Sequence, residues 1–321
     1  MLTFKLLGRD KREITLEKVL TAALDCDLKV PADSLTISCP YDGAIRDNAD
    51  YLQAYDDGRL VFKGQIDSAV TVKRSQGVIL KLSARSPAGM LLDNEAEPVT
   101  YFNPTASLIS NRHLRPFGIE VAENDYVPYY GMLKIDKGMS HWRVLQRFCR
   151  CRYNSEPRIS GDGRAYLKGN PATGSVVFSD TGENIKYISL KENRRRHSLI
   201  SEIRLKFQQA NTYSSVIENP NPESESVTRV RYVNVAADKT TLATADKMFD
   251  NSNRDSYALE LRCNGCLTGV LGNDAVVRDS ALGEITGLVV RRVCYSSDSR
   301  GEGSVIILEK ENFDVVNELH N

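Results

Sequence analysis

The stretch Asp57–Arg85 constrains the fold most, because apolar and polar side chains alternate along nearly all of it. From residue 60 to residue 72 the even positions are apolar or small, and odd positions carry polar residues such as Lys63 and Thr71. Successive side chains of a strand point to opposite faces, so this period of two predicts a half-buried strand. After Gly77 the alternation resumes on even positions up to Ala84, which predicts a long β-hairpin. The apolar or small positions of its first strand are Leu60, Phe62, Gly64, Ile66, Ser68, Val70 and Val72.

A second hairpin pattern, Gly283–Glu309, repeats the first one far downstream. Placing Gly64 over Gly287 aligns the inward positions of both first strands, and the return strands align after a turn that is three residues longer. A glycine inside a strand usually marks a bulge or a bend, so the matched glycines predict two similarly curved sheets. We interpret the hairpins as two copies of one β-domain; the alternative is a chance match between two amphipathic hairpins.

The rest of the chain predicts a β-rich α+β protein with three domains. Residues 1–97 alternate repeatedly and predict a first, antiparallel β-barrel-like tube domain. Residues 98–195 predict a small α+β middle domain, because a helix signal begins at Ser140 and a tight hairpin surrounds Asp162. Residues 196–321 predict a second barrel-like domain similar to the first, with a short helix and a C-terminal tail.

Two segments of the last predicted domain are irregular in composition. Asn219–Ser226 is rich in Asn, Pro, Glu and Ser, residue types that favour turns, and is predicted to be a solvated loop. The final eleven residues place Phe313, Val316 and Leu319 at helical spacing and predict a frayed helix.

The bulk composition excludes several classes of protein. Of the 321 residues, 42 are Lys or Arg and 42 are Asp or Glu, so the net charge is zero and a general nucleic-acid binder is not expected. No apolar run approaches the roughly 18 residues that cross a bilayer. The N-terminus reaches charged residues too early for a secretory signal, and seven cysteines, an odd number, indicate reduced thiols. We therefore expect synthesis and folding in the cytosol, with no membrane partner.

The sequence contains no recognisable active site. Cys263 and Cys266 form a CxxC pair, but structural zinc needs four ligands, and the four histidines do not pair with it. Neither a nucleophile elbow nor a phosphate-binding glycine loop occurs, and Arg194–Arg196 is interpreted as an exposed bend or an ion-pairing patch. We predict no enzymatic activity, no catalytic, metal-binding or cofactor-binding residues, and no cofactor.

The segment Ser83–Pro98, together with Asp57–Asp67, resembles the central baseplate hub proteins of contractile phage tails. The nearest group is the hubs of PBSX-like defective prophages and phage-tail-like bacteriocins, with the hub of Mu-type phages as a more distant relative. The helix that carries Trp142 and the hairpin after Pro157 also resemble the middle of those hubs. The closing β-unit resembles theirs through Gly272, Gly283 and Gly287.

This resemblance implies a structural role in a virion or tail-like particle. In that family two similar β-domains per subunit form a trimeric ring with pseudo-sixfold symmetry, which joins the tail tube to the central spike. The implied partners are two further copies, the tube protein, the spike protein and other baseplate proteins, in a baseplate assembled in the bacterial cytoplasm. The candidate interface residues are Lys63, Gly64, Gln65, Asp67 and Gly287.

Other functions stay open from the sequence alone. A type VI secretion-like spike base resembles phage hubs in its upper part, but we expect it to continue into an OB-fold and a β-helix, and the sequence stops before either. A tail-associated cell-wall hydrolase or a glycan-binding module are further alternatives, although aromatic residues make up only 7% of the chain.

Overall fold

A computed structural model describes residues 1–10, 12–123, 125–161, 163–170, 174–182, 184–207, 210–235 and 240–310. The chain divides into two compact units. The first contains Met1–Gly174, Arg262–Asn273 and Arg291–Val305, and the second contains Ser175–Leu261, Asp274–Val290 and Ile306–Asn321. The three-domain division at residues 97 and 195 stays a prediction. The predicted C-terminal helix and Asp162 lie outside the described residues.

Over the described residues, the continuous N-terminal part of the first unit contains four α-helices, twelve strands and a 3₁₀ turn at Arg115–Phe117. Its helices are α1 (Gly43–Asn48), α2 (Ala88–Asp93), α3 (Ala106–His113) and α4 (His141–Tyr153). Its strands are β1 (Thr3–Gly8), β2 (Glu13–Thr15), β3 (Thr21–Asp27), β4 (Ser34–Pro40), β5 (Ala49–Asp56), β6 (Arg59–Arg74), β7 (Gly77–Arg85), β8 (Thr100–Phe102), β9 (Glu120–Val121), β10 (Met132–Lys134), β11 (Arg158–Ile159) and β12 (Arg164–Tyr166).

The remaining chain adds one helix, α5 (Thr240–Ser256), and the later strands. These are β13 (Ser175–Ser179), β14 (Ile185–Arg194), β15 (Glu202–Phe207), β16 (Ser215–Glu218), β17 (Val230–Val235), β18 (Tyr257–Asn264), β19 (Asp274–Asp279), β20 (Gly283–Asp298) and β21 (Gly301–Lys310). Strands β18, β20 and β21 contribute residues to both units.

The main sheet of the first unit is antiparallel throughout. Its strand order is β20–β3–β4–β7–β6–β5–β1–β2, with β20 represented by Arg292–Ser297. Alternate side chains of these strands form one apolar core, as the period of two in the sequence predicts. The largest fully buried members of that core are Leu6, Leu24, Leu35, Ile37, Leu52, Phe62, Leu80, Leu82 and Tyr295.

Helices α2, α3 and α4 belong to an α+β layer of the first unit with its own core. The helix predicted to begin after Ser140 is confirmed: the Ser140 hydroxyl accepts from the Arg143 N–H and caps α4. Asn154 ends the helix in the left-handed conformation. The buried face of α4 packs against Leu91 of α2 and Ile109 of α3.

A buried ion pair ties β11 to the turn between β3 and β4. The Arg158 guanidinium donates to both carboxylate oxygens of Asp33, at 2.6 and 2.7 Å, and to the carbonyls of Asp27 and Val30. Arg158 and Asp33 are both buried, and the Asp33 N–H donates to the hydroxyl of Ser86. The pair is therefore desolvated and satisfied through several hydrogen bonds at once.

The second unit contains a six-stranded barrel in the order β19–β13–β14–β18–β21–β20, closed by pairing of β20 with β19. The β-rich, barrel-like prediction is thus confirmed. The prediction of an antiparallel second barrel is wrong at β19, which pairs in parallel with β13, a strand from the predicted middle domain that also runs parallel to β14. Alternation of side chains identifies which face of a strand is buried, but it does not encode strand direction.

Between β14 and β18 the second unit carries a small α+β layer: its helix was predicted from the sequence, but its arrangement as a separate layer was not. The three-stranded sheet β16–β15–β17 packs against α5 around Ile203, Leu205 and Phe249. The prediction that Asn219–Ser226 is a solvated loop is wrong for three of its residues. Asn219, Asn221 and Ser224 are buried, and a 3₁₀ turn forms over Pro222–Ser226.

Candidate assembly interface

The two hairpins predicted from the sequence are present as elements. β6 and β20 each contain sixteen residues, and each is followed by a return strand that neighbours it in the sheet. In the first hairpin the ladder runs to the turn, where Lys73 pairs with Val78 and Arg74 with Gly77. That the hairpins derive from one duplicated domain stays a prediction.

The β6 strand carries a bulge at Asp67. Its register with β7 passes from Ile66 opposite Ala84 to Ser68 opposite Ser83, which leaves Asp67 without an opposite residue. An inserted residue shifts the alternation, so each side chain of β6 beyond the bulge points to the face opposite the one predicted. Val70, predicted to point inward, is consequently 49% exposed. The single alternating period is confirmed up to Ile66 and wrong beyond it.

Beyond this bulge β6 has an open edge. Its pairing with β5 ends where Gln65 lies opposite Tyr51, and along the rest of the strand the structure, over the residues it describes, pairs β6 with β7 alone. We call Asp67–Arg74 the β6 edge. Its residues are exposed except for the half-buried Val72, so one row of backbone N–H and C=O groups faces outward.

Four of the five predicted interface residues lie on β6 next to this edge. Gln65 and Asp67 are exposed. Lys63 is half-buried. Its ammonium lies 5.9 Å from the Tyr51 ring centroid, and its backbone N–H donates to the Gly161 carbonyl at 3.0 Å. Gly64 is buried, and a Cβ there would lie 2.4 Å from the Arg85 carbonyl oxygen. Gly64 is therefore explained by close packing.

Gly287 is a glycine for a different reason. Its φ is +67°, and a Cβ there would meet no atom within 4 Å. It lies at a register shift between β19 and β20, where the pair Ala275–Leu288 gives way to Val277–Ile285. The bulge predicted at Gly287 is confirmed, whereas Gly64 lies in regular ladder. The structural equivalence of the two glycines is therefore wrong.

Arg85 organises the base of the β6 edge, although it was not among the five predicted interface residues. Its Nε and Nη2 donate to the two carboxylate oxygens of Asp67 at 2.7 and 3.1 Å, and its Nη2 and Nη1 donate to those of Asp93 at 2.5 and 3.3 Å. Hydrogen bonds to Asp67 and to Asp93 raise the pKa of Arg85, and the bond from Arg85 lowers the pKa of Asp93. Both Arg85 and Asp93 lie in the segment that carries the resemblance.

A cavity of about 300 Å³ opens beside these three side chains. Gln65, Ser86, Met90 and Asn94 line it together with the Arg85 cluster. Its walls come from β6, β7 and α2, so it lies where the β6 edge begins.

In the described part of the chain, no metal centre competes with this surface. Among the residues that the structure describes, no three His, Cys, Asp or Glu side chains are placed to hold a metal ion. Cys263 and Cys266 are free thiols, and burial raises the pKa of Cys263 to about 11. A thiol with a raised pKa is a poor nucleophile at neutral pH. No helix in the described part of the chain is long and apolar enough to cross a bilayer.

Solved structures with the same architecture come from phage tails. The tail protein from Neisseria meningitidis MC58 matches with a TM-score of 0.76 at 18% identity, over 96% of each chain. The 43 kDa tail protein of prophage MuSo2 from Shewanella oneidensis gives 0.74 at 14% identity, over 97% of this chain and 98% of that one. The chain has the fold of phage tail proteins. The predicted relationship to phage tails is thus confirmed for the fold.

The phage-tail fold extends to a more distant neighbour. The E. coli c3393 protein, a component of the type VI secretion system, matches with a TM-score of 0.53 at 9% identity, over 92% of this chain and 74% of that one. The sequence itself matches no protein-family model and no curated protein.

Proposed function

We propose that this protein is the structural baseplate hub of a contractile tail or tail-like particle. In this role three copies form a pseudo-sixfold ring that joins the tail tube to the central spike, and no catalytic step is involved. The observation that carries the proposal is the phage-tail fold, which spans nearly the whole of this chain and of both tail proteins. The resemblance of Ser83–Pro98 to baseplate hubs supports the hub within that class.

The β6 edge is the surface we assign to assembly. Exposed strand edges invite pairing with other chains, and soluble proteins usually protect them. This edge carries Val70, Thr71 and Val72 in its middle, with no proline to block a neighbouring strand. A strand from a second copy or from the tube protein could therefore extend the sheet by main-chain hydrogen bonds. Lys63, Gln65 and Asp67 would flank that contact.

The direct test of the hub is a mass measurement by light scattering coupled to size-exclusion chromatography. We expect a trimer for the purified protein at high concentration, or on addition of the spike protein, and a ring in electron micrographs of the assembled particle. A protein that stays monomeric in both mixtures and forms no ring would overturn the proposal. Reversing the charges of Lys63 and Asp67 should weaken the trimer, and an unchanged trimer would remove these residues from the interface.

A type VI secretion-like spike base is the second candidate, favoured by the similarity to the E. coli c3393 protein. The two candidates differ in the tube they bind. A hub should co-sediment with the tube protein of its own tail cluster, whereas a spike base should bind only a type VI tube. Binding to the type VI tube alone would favour the second candidate.

A further inference from the structure

Arg85 connects three parts of the first unit at one point. It is the last residue of β7, Asp67 is the bulged residue of β6, and Asp93 is the last residue of α2. The guanidinium lies between the two carboxylates and donates to both, a planar geometry that arginine provides and lysine does not. Arg85, Asp67 and Asp93 together are called the Arg85 clamp.

Two glycines make room for the clamp. A Cβ at Gly89 of α2 would lie 3.1 Å from the Arg85 Cβ and 3.4 Å from its Cζ, so the arginine side chain lies flat on the helix where a side chain is missing. A Cβ at Gly64 would lie 2.4 Å from the Arg85 carbonyl oxygen. Both the side chain and the backbone of Arg85 thus approach neighbouring backbone more closely than another residue would permit.

The clamp lies where β6 loses its second neighbour. Up to Gln65 the strand is held between β5 and β7, and beyond Asp67 the described residues hold it on the β7 side only. A bulge bends its strand and increases the local twist, so the conformation at Asp67 fixes the direction in which the β6 edge leaves the sheet. The Asp67 carboxylate is fixed to Arg85, which is in turn fixed to α2.

We propose that Arg85 is a positioning residue for assembly: through Asp67 and Asp93 it holds the bulge of β6 in one conformation and presents the β6 edge in a fixed direction. The use of that edge in assembly rests on the proposed function; the restraint of the bulge does not. A preorganised edge loses less conformational freedom when it pairs, which favours association.

The test is amide hydrogen exchange of the isolated protein, comparing wild type with Arg85→Gln and Gly89→Ala. The control is Arg46→Ala, which removes an exposed guanidinium that donates hydrogen bonds to its neighbour Asp47. Ion pairs as exposed as those of Arg85 contribute modestly, so in Arg85→Gln we expect the amides of Ser68–Arg74 that bond to β7 to exchange about fivefold faster. The amides of β1 should be unchanged in all variants. Gly89→Ala, which keeps every charge, should accelerate the same amides by a smaller factor.

A salt series separates the clamp from a simple packing role. Because salt screens exposed charges, raising NaCl to about 1 M, where the Debye length is about 3 Å, should accelerate these amides in wild type but not in Arg85→Gln. Equal amide exchange rates in wild type and Arg85→Gln, or an equal acceleration of the β1 and β6 amides, would overturn the clamp. Faster exchange with an unchanged trimer would leave the clamp standing and remove the β6 edge from the assembly surface.

Discussion

The buried pair Arg158–Asp33 predicts a large loss of stability when one partner is removed. Replacing Arg158 with methionine leaves a buried carboxylate without its charged partner, a change that costs about 3–5 kcal/mol in the free energy of unfolding. We expect Arg158→Met to lose about that amount in urea denaturation at pH 7. Burial already raises the pKa of Asp33, so the deficit relative to wild type should shrink as the pH falls and the carboxyl takes up a proton.

The double variant Arg158→Met, Asp33→Leu is the matched control for this prediction. It removes both charges and keeps similar side-chain volume, so most of the lost stability should return. A double variant as unstable as the single one would mean that the hydrogen bonds from Arg158 to the carbonyls of Asp27 and Val30 dominate.

Two histidines of the first unit predict a loss of stability in mild acid. His113 is buried, its Nδ1 lies 3.0 Å from the Nδ1 of His141, and its Nε2 lies 3.3 Å from the Tyr101 hydroxyl. Burial, then the nearby His141 and Arg112, lower the pKa of His113 to about 4. Burial also lowers the pKa of His141. Both rings are thus neutral in the folded protein at neutral pH.

The sign follows from comparing folded and unfolded chains. Because the folded pKa of His113 lies below the unfolded value near 6.5, the unfolded chain binds the extra proton between these values. The stabilisation is complete above about pH 6.5 and is lost as the pH falls towards 4, by about 3 kcal/mol for this one group. His113→Gln should flatten that part of a plot of unfolding free energy against pH. A plot with the wild-type slope would assign the acid sensitivity to other groups.

At the level of elements, the segment Asn219–Ser226 is held by asparagine side chains. Asn219 and Asn253 exchange hydrogen bonds of 2.8 and 3.0 Å, and Asn221 donates to the same Asn253 oxygen at 3.3 Å. Asn253 lies on α5, so these bonds fix the segment to the helix. Buried polar groups that lose their partners are destabilising by about 1–3 kcal/mol.

We therefore expect Asn253→Ala to lower the free energy of unfolding by about 2–3 kcal/mol. Asn251→Ala, on the same helix but exposed, should change it by less than about 0.5 kcal/mol. Thermal denaturation followed by circular dichroism compares the two variants. Equal effects would show that helix propensity at α5, and not the buried network, determines the loss.

Sequence patterns predicted the elements here better than their details. The period of two identified the β6–β7 hairpin, and the Ser140 cap identified α4, because both signals are local. The bulge at Asp67 was not predictable in this way, since one inserted residue leaves the polar and apolar pattern almost unchanged. Asn219 and Asn221 were misassigned because their residue type favours solvated turns, and their mutual hydrogen bonds depend on a helix distant in the sequence.

For the candidate site, residue type placed four of the five predicted residues on one strand, and their role in an interface stays a prediction. Lys63, Gln65 and Asp67 were chosen as a polar strand face, and they do lie beside the β6 edge. Gly64 was chosen with them, although its role is to admit the Arg85 backbone. Arg85 itself was not identified, because a charged residue at a strand end is unremarkable until its two carboxylate partners are seen together.

For the whole molecule, the similarity to tail proteins concerns the fold, whereas the β6 edge concerns the proposed binding of partners. Low identity with high coverage shows that the arrangement of strands is shared with tail proteins although most side chains differ. In the proposed hub, partner specificity would lie in surface features such as the Arg85 clamp, which can change without altering the core. The mass measurement therefore tests whether the protein forms a trimer. The hydrogen-exchange series tests separately whether Arg85 restrains the bulge of β6.

The open edge of β6 also has a consequence for the time between synthesis and assembly. A strand edge that is open on one side and has three consecutive β-formers at residues 70–72 can template any extended chain it meets, including a newly made copy of itself. The positive charges of Lys73 and Arg74 at the tip slow such encounters between identical molecules without preventing them. In the proposed hub, the supply of correct partners must therefore keep pace with production of this chain, so that expression ratio would determine particle yield alongside affinity.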